Sequence, residues 1–189
     1  MEEKRLCDLL DGFKKHKQIG FGTIKIDYQK NDHLLIANPE KRTATFEPLQ
    51  STEVERAIFH LYAYKENKSN RGGLPVAIIC KIGNNNYTLK AESNSVIFVD
   101  HPLPQKIPEE KSGFIFYMKN FSPGNDCFKF ESSVQNNFYL SWNENKELIL
   151  KECNEQLDET ISFFLEYTDT CKSSGCELGA NMAVSSRLP

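Results

Sequence analysis

No stretch of the 189 residues is apolar over the roughly 18 positions that a membrane-spanning helix needs, so no transmembrane segment is predicted. The first residues, MEEKRLCDLLDGFKKHK, also lack the apolar core of about 7–15 residues that a secretory signal requires, so synthesis in the cytosol is expected. Basic residues are not in excess: 23 Lys and Arg face 26 Asp and Glu, a formal charge of −3, which argues against nucleic acid as a partner. The six cysteines (Cys7, Cys80, Cys127, Cys153, Cys171, Cys176) are scattered without a CxxC pair. Cys80 reads as a small buried hydrophobe, and Cys171 and Cys176 would close a small loop only if oxidised. The four histidines (His16, His33, His60, His101) fall on different elements without a spaced partner, and no GxSxG, P-loop, HExxH or EF-hand pattern occurs. Cys80 and His60 could in principle meet as a nucleophile pair, but each sits inside an apolar strand, whereas catalytic groups usually sit on loops. No enzyme activity, cofactor or metal is therefore expected.

What the chain does have is short strings with a two-residue period. From Phe128 it reads FKFESSVQNNFYLSWNENKELILK, three such strings parted by polar turns, and ISFFLEY follows from Ile161. Each is too short for a helix, and Phe128 and Phe130 alternate with Lys129 and Glu131 as in a half-buried strand. The same sequence of four strings occurs twice upstream. HLLIANPEKRTATF from His33 and YTLKAESNSVIF from Tyr87 match the FYLSW hairpin, with Leu35, Leu89 and Leu140 as equivalent points about 50 residues apart. Each hairpin is preceded by one strand (Thr23–Tyr28, Val76–Ile82, Phe128–Ser132) and followed by an aromatic-rich one (Ala57–Tyr64, Gly113–Asn120, Thr160–Tyr167). Three repeats of four strands are the arithmetic of a β-trefoil, an all-β fold in which six strands form a barrel and three hairpins cap one end. A three-bladed propeller would have too few blades to close, and a sandwich has no reason to repeat at this interval.

Ile26, Leu35, Phe46, Phe59, Ile78, Leu89, Phe98, Phe116, Phe130, Leu140, Leu150 and Phe164 are predicted to line barrel and cap. Residues 1–11 are assigned as a leader, 12–168 as the trefoil domain and 169–189 as a flexible tail. The leader's charged, aperiodic character continues to about Gln18, so a mobile segment is expected that far. Its basic run Lys14-Lys15-His16-Lys17 could touch nucleic acid or lipid, although four residues in a balanced chain read more simply as a solvated segment. His101–Ser112, HPLPQKIPEEKS, is a proline-punctuated loop. Asn67, Asn86 and Asn120 open N-glycosylation triplets, expected to stay bare in a chain that bypasses the secretory lumen.

Phe130–Ser133, FESS, followed by FYLSW and LILK, resembles the sequence mark of the interleukin-1 cytokine family. Asn136-Asn137 stand where many members place a proline before the aromatic-leucine pair. The run FIFYMKNFSPGNDCFKFESS from Phe114, with NDHLLIA, FEPL and RGGLPVAI, extends the likeness over roughly Gly20 to Thr168. The resemblance implies a monomeric pro-inflammatory cytokine without a cofactor. Such a protein is released by a signal-independent route after proteolysis of a cytosolic precursor, and binds a two-chain cell-surface receptor with immunoglobulin-like ectodomains. It carries the family's receptor contacts onto Asp32, Arg71, Leu74 and Lys119. The family's lysines near the seventh strand have no counterpart, since Ser95 and Asp100 lie there. If Arg71 and Lys119 meet acidic receptor groups, reversing either charge is expected to weaken binding and leave the melting temperature nearly unchanged, whereas the simpler reading of each is an ordinary solvated charge.

The resemblance also implies a processing caspase, and Asp8-Leu9-Leu10-Asp11-Gly12 offers an aspartate with a second acid three positions upstream and a small residue after it. Cleavage between Asp11 and Gly12 is expected, in a segment free to extend into the protease without unfolding the barrel. The alternative function is a heparin-binding growth factor-like trefoil. It would need a cluster of Lys and Arg on the third repeat's hairpins, where NENKELILKECNE has four acids against two lysines. A trefoil lectin expects QxW in each repeat, and only Trp142 exists. A Kunitz-type inhibitor would normally have a signal peptide and paired disulfides.

Overall fold

The computed structural model describes residues 12–29, 31–48, 54–66, 71–124, 126–154 and 158–169. The leader to Asp11, Cys7, Cys171, Cys176 and the Asn67 triplet lie outside them. Thirteen strands occur among the described residues, one more than expected: β1 Phe13–Tyr28, β2 Asn31–Asn38, β3 Thr43–Glu47, β4 Phe59–Glu66, β5 Leu74–Ile82, β6 Asn85–Glu92, β7 Ser95–Asp100, β8 Lys106–Ile107, β9 Phe116–Asn120, β10 Cys127–Ser132, β11 Phe138–Trp142, β12 Leu148–Glu152 and β13 Phe163–Asp169. A short helix α1, Val54–Ala57, precedes β4.

The antiparallel pairings close a ring. β1 pairs with β4, β4 with β5, β5 with β9, β9 with β10, β10 with β13, and β13 returns to β1. These are the first and last strands of the three repeats. The middle strands form hairpins β2–β3, β6–β7 and β11–β12. They meet over one end of the barrel, where Phe46 N–H donates to Lys146 O (2.7 Å) and Phe98 N–H to Arg42 O (3.2 Å). The architecture is a β-trefoil.

One face of every barrel strand supplies the core. Eleven of the predicted core residues are buried, but Phe164 is 37% exposed and its neighbour Phe163 is 1% exposed, so the expectation there is off by one. Register explains it: side chains alternate strictly along a strand, and a Phe-Phe pair lets either ring be read as the inward one. Phe163 lies 5.8 Å from the Phe46 ring and 6.1 Å from Phe130, joining the first and third repeats. Between Phe130, Phe163, Leu35, Ile78, Leu89 and Leu140 remains a cavity of about 10 Å³, at the lower limit for one water and apolar throughout.

The expected mobile segment to Gln18 does not hold. Phe13–Gln18 is strand, paired with β4 and, through Phe13 and Lys14, with β8 in the proline-rich loop. Phe13 is 3% exposed and belongs to a second apolar cluster on the outer face of β4 and β5, with Tyr64, Ile79, Leu103, Ile107, Ile115 and Tyr117. Burying a phenylalanine ring is worth about 1.5–3 kcal/mol, enough to fix a segment whose charge pattern reads as unstructured.

Candidate functional site

Three of the four expected contact residues meet at one place. Arg71 stands in the link before β5, Leu74 opens β5, and Lys119 is on β9, which pairs with β5 through Leu74 and Met118. Gly73 makes this approach possible: its φ is +85°, and a Cβ there would lie 2.7 Å from Lys119 Cγ and 2.8 Å from Met118 O.

At the centre is Glu131, a residue that sequence reasoning left as an outward strand position. It is 5% exposed. Oε1 accepts from Arg71 Nη2 (2.9 Å) and from the Asn137 N–H (3.0 Å), and Oε2 accepts from Lys119 Nζ (2.5 Å). Arg71 also donates to Ser133 O from Nη1 (2.8 Å) and to Ser132 O from Nη2 (2.9 Å), and its guanidinium lies 4.9 Å from the Tyr117 ring centre. The Tyr117 hydroxyl donates in turn to Glu66 Oε1 (2.5 Å). Burial pushes the Glu131 carboxyl up, but hydrogen bonds from Lys119, the Asn137 amide and Arg71 outweigh it and hold the group below the usual carboxylate range. Burial and then the bond to Glu66 push the Tyr117 hydroxyl up.

This arrangement corrects one expectation. Arg71 and Lys119 are not ordinary solvated charges, for their side chains are only 19% and 22% exposed and both serve a buried carboxylate. Reversing either would leave Glu131 facing a like charge and lower the melting temperature. The signal for Glu131 was the motif FESS itself: Glu131, Ser132 and Ser133 are all buried, an uncommon run of polar residues unless each finds partners.

Asp32 lies apart from this group. Its side chain is 70% exposed at the start of β2, and it accepts from Lys25 Nζ (3.1 Å), which also donates to Glu166 on β13 (2.6 Å). Asp11 is outside the described residues. Gly12 is buried with φ +158°, and a Cβ on it would lie 2.1 Å from Ile107 O. The segment following the expected cut is therefore held against β8, not free to extend.

The Cys80–His60 pair is not a dyad. Cys80 pairs with Phe59 and His60 with Ile79, which puts the thiol inside the barrel and the imidazole outside. Burial raises the Cys80 thiol to about 12, and Sγ donates to Glu55 O (3.4 Å), whereas His60 stacks on Phe21 with ring centres 5.5 Å apart.

A family model described as Interleukin-1 / 18 matches residues 49–165. The chain belongs to this family. It is 30% identical to interleukin-18 of Gallus gallus over 173 residues, covering 84% of this chain and 85% of that protein. It is 26% identical to interleukin-18 of Homo sapiens over 147 residues, covering 74% of each. Among solved structures, a Gallus interleukin-1 beta mutant superposes with a TM-score of 0.59 at 18% identity, over 80% of this chain and 97% of that one. At that identity the likeness concerns the trefoil alone. The interleukin-1/18 family consists of cytokines, and this chain is a cytokine resembling interleukin-18. The run from Phe114 to Ser133, which builds the Glu131 centre, lies within the matched residues. Among the described residues no helix is long and apolar enough to cross a membrane.

Proposed function

We propose that the chain is a secreted pro-inflammatory cytokine. It acts by binding a two-chain receptor with immunoglobulin-like ectodomains, and is released from a cytosolic precursor by a caspase cutting after Asp11. The observation that carries the receptor reading is the gathering of Arg71, Leu74 and Lys119 from separate segments onto one rim, with Asp32 on another. Two separated patches suit a partner that grips the cytokine at more than one point. At the first patch the partner meets the polar edges of a charge cluster already neutralised by Glu131, together with the half-buried Leu74. At the second it meets an exposed carboxylate.

The test is surface plasmon resonance of the caspase-treated protein against candidate receptor ectodomains. Binding to an interleukin-18-type receptor chain, weakened at least tenfold in Leu74→Ala with the fold retained, is the expected result. Absence of binding to every such ectodomain overturns the receptor reading.

Maturation is tested separately. Caspase treatment should give a product starting at Gly12, and Asp11→Ala should stay uncut. Because Gly12 and Phe13 must lift from β8 to enter a protease cleft, Phe13→Ala should be cut faster than the wild-type chain. Equal rates would place the cut elsewhere.

A further inference from the structure

Lys14 is flanked on both sides by lysine. In the antiparallel register it stands opposite Lys65 of β4 and opposite Lys106 of β8. Directly opposed residues project to the same face, and the preceding pair confirms which face this is: Phe13 and Ile107 oppose each other and both lie in the second apolar cluster. Lys14, Lys65 and Lys106 therefore lie on the face of the sheet opposite this cluster, and all three are exposed. Strand spacing sets the three Cα positions in a row about 10 Å long. Exposed His16 extends the row along β1, its imidazole held below the ordinary value by desolvation and by the ammonium groups of Lys65 and Lys17. Among the described residues no carboxylate lies within ion-pair distance of Lys14, Lys65 or Lys106. Among the described residues the acids nearest in sequence are Glu66, which lies on the cluster side and accepts from the Tyr117 hydroxyl, and Glu109 and Glu110, beyond Lys106 in the same loop.

Like charges directly opposed across strands destabilise a sheet, so packing gives no reason for this placement. In a chain of net charge −3 the cations are concentrated here against the overall balance. We propose that the Lys106–Lys14–Lys65 row is a binding site for a sulfated polysaccharide, separate from the receptor surface. A row of point charges suits a linear polymer with repeated sulfates. A membrane site would call for apolar side chains to insert, and the exposed large ones, Phe21, Val54, Val134 and Phe164, are neither on β8 nor on the Phe13–Lys17 part of β1. Single-stranded nucleic acid would call for open aromatic faces, whereas the nearby Tyr62 ring is covered by Lys15 Nζ at 4.7 Å from its centre. This polyanion site is remote from the third-repeat hairpins where a growth-factor-like trefoil would carry its basic cluster.

The experiment is binding of the full chain to immobilised heparin at about 0.15 M salt, the physiological ionic strength. The Lys14→Ala/Lys65→Ala/Lys106→Ala variant is compared with Lys41→Ala/Lys81→Ala/Lys90→Ala, which removes equal charge elsewhere. The first should bind roughly tenfold more weakly, as expected for loss of three exposed ion pairs, and the second less than twofold. Because the first variant relieves like-charge repulsion, its melting temperature should not fall, which separates lost binding from lost fold. No wild-type binding at that salt, or equal loss in the two variants, overturns the proposal. So does binding to phosphatidylserine vesicles or single-stranded DNA without binding to heparin. Receptor binding measured on the same variants keeps the two proposals apart, since the lysine row shares no residue with the receptor patches.

Discussion

The surface around Arg71 and the surface around Asp32 are both built from charged side chains, yet charge plays opposite parts in them. At the first, a carboxylate 6% exposed is surrounded by two cations and a backbone amide, and its removal would strand those cations in a partly desolvated place. At the second, a carboxylate 70% exposed shares Lys25 with Glu166, so the lysine keeps a partner whichever acid is lost. The first centre ties the β4–β5 link and β9 to β10 and the loop after it. It has to be folded before it can be recognised. The second is free to answer to a partner alone.

The sharpest way to break this contrast is Glu131→Ala. It should lower the unfolding free energy by about 3 kcal/mol in urea titrations, near the lower end for stripping one member from a buried ion group because Arg71 and Lys119 retain some solvent. Acid should show the same dependence in the wild-type chain. The Glu131 carboxyl is depressed in the folded state. Its contribution is thus complete above the unfolded value of about 4.3 and is lost as pH falls through the lower folded value. Glu131→Gln should remove that part of the acid slope. A variant whose stability still falls as steeply below that pH would move the acid sensitivity to another group.

Much of the barrel was legible because half-buried strands alternate, and three repeats of one alternation reinforce each other. The exceptions share a cause. Phe163 and Phe164 are chemically identical, so only cross-strand register decides between them. Phe13 is a lone aromatic among lysines, and its burial depends on Leu103 and Ile107, some ninety residues away, which no local pattern reveals. The two-residue β8 forms only because β1 lies beside it. Of the candidate site, the resemblance located Arg71, Leu74 and Lys119, but the spacing of charges could not show that they converge on Glu131. Burial of a carboxylate is decided by partners from three segments, not by its own strand.

A smaller effect distinguishes geometry from charge at the same centre. Arg71→Lys keeps the cation but replaces a fork that reaches Glu131, Ser132 O and Ser133 O by a single ammonium. Losing one or two of these bonds should cost about 1–2 kcal/mol. A variant as stable as wild type in urea would mean that Glu131 needs only a positive charge nearby, and that the fork's grip on the β10 end is dispensable.

Asp32→Asn should have the smallest effect on stability and is the most informative about recognition. Exposed ion pairs contribute about 0–1 kcal/mol, and Lys25 retains Glu166 at 2.6 Å, so the melting temperature should move by no more than a few degrees. The amide keeps the shape of the carboxylate and removes only its charge. If that charge faces a cation on the receptor, affinity should fall about tenfold, equivalent to roughly 1.4 kcal/mol. Much of the loss should appear as slower association at low salt, because an exposed charge steers encounter more than it holds the complex. Unchanged affinity and association rate would remove Asp32 from the receptor surface. A melting temperature lowered as far as in Glu131→Ala would instead show that the two regions are alike, with Asp32 also built into the fold.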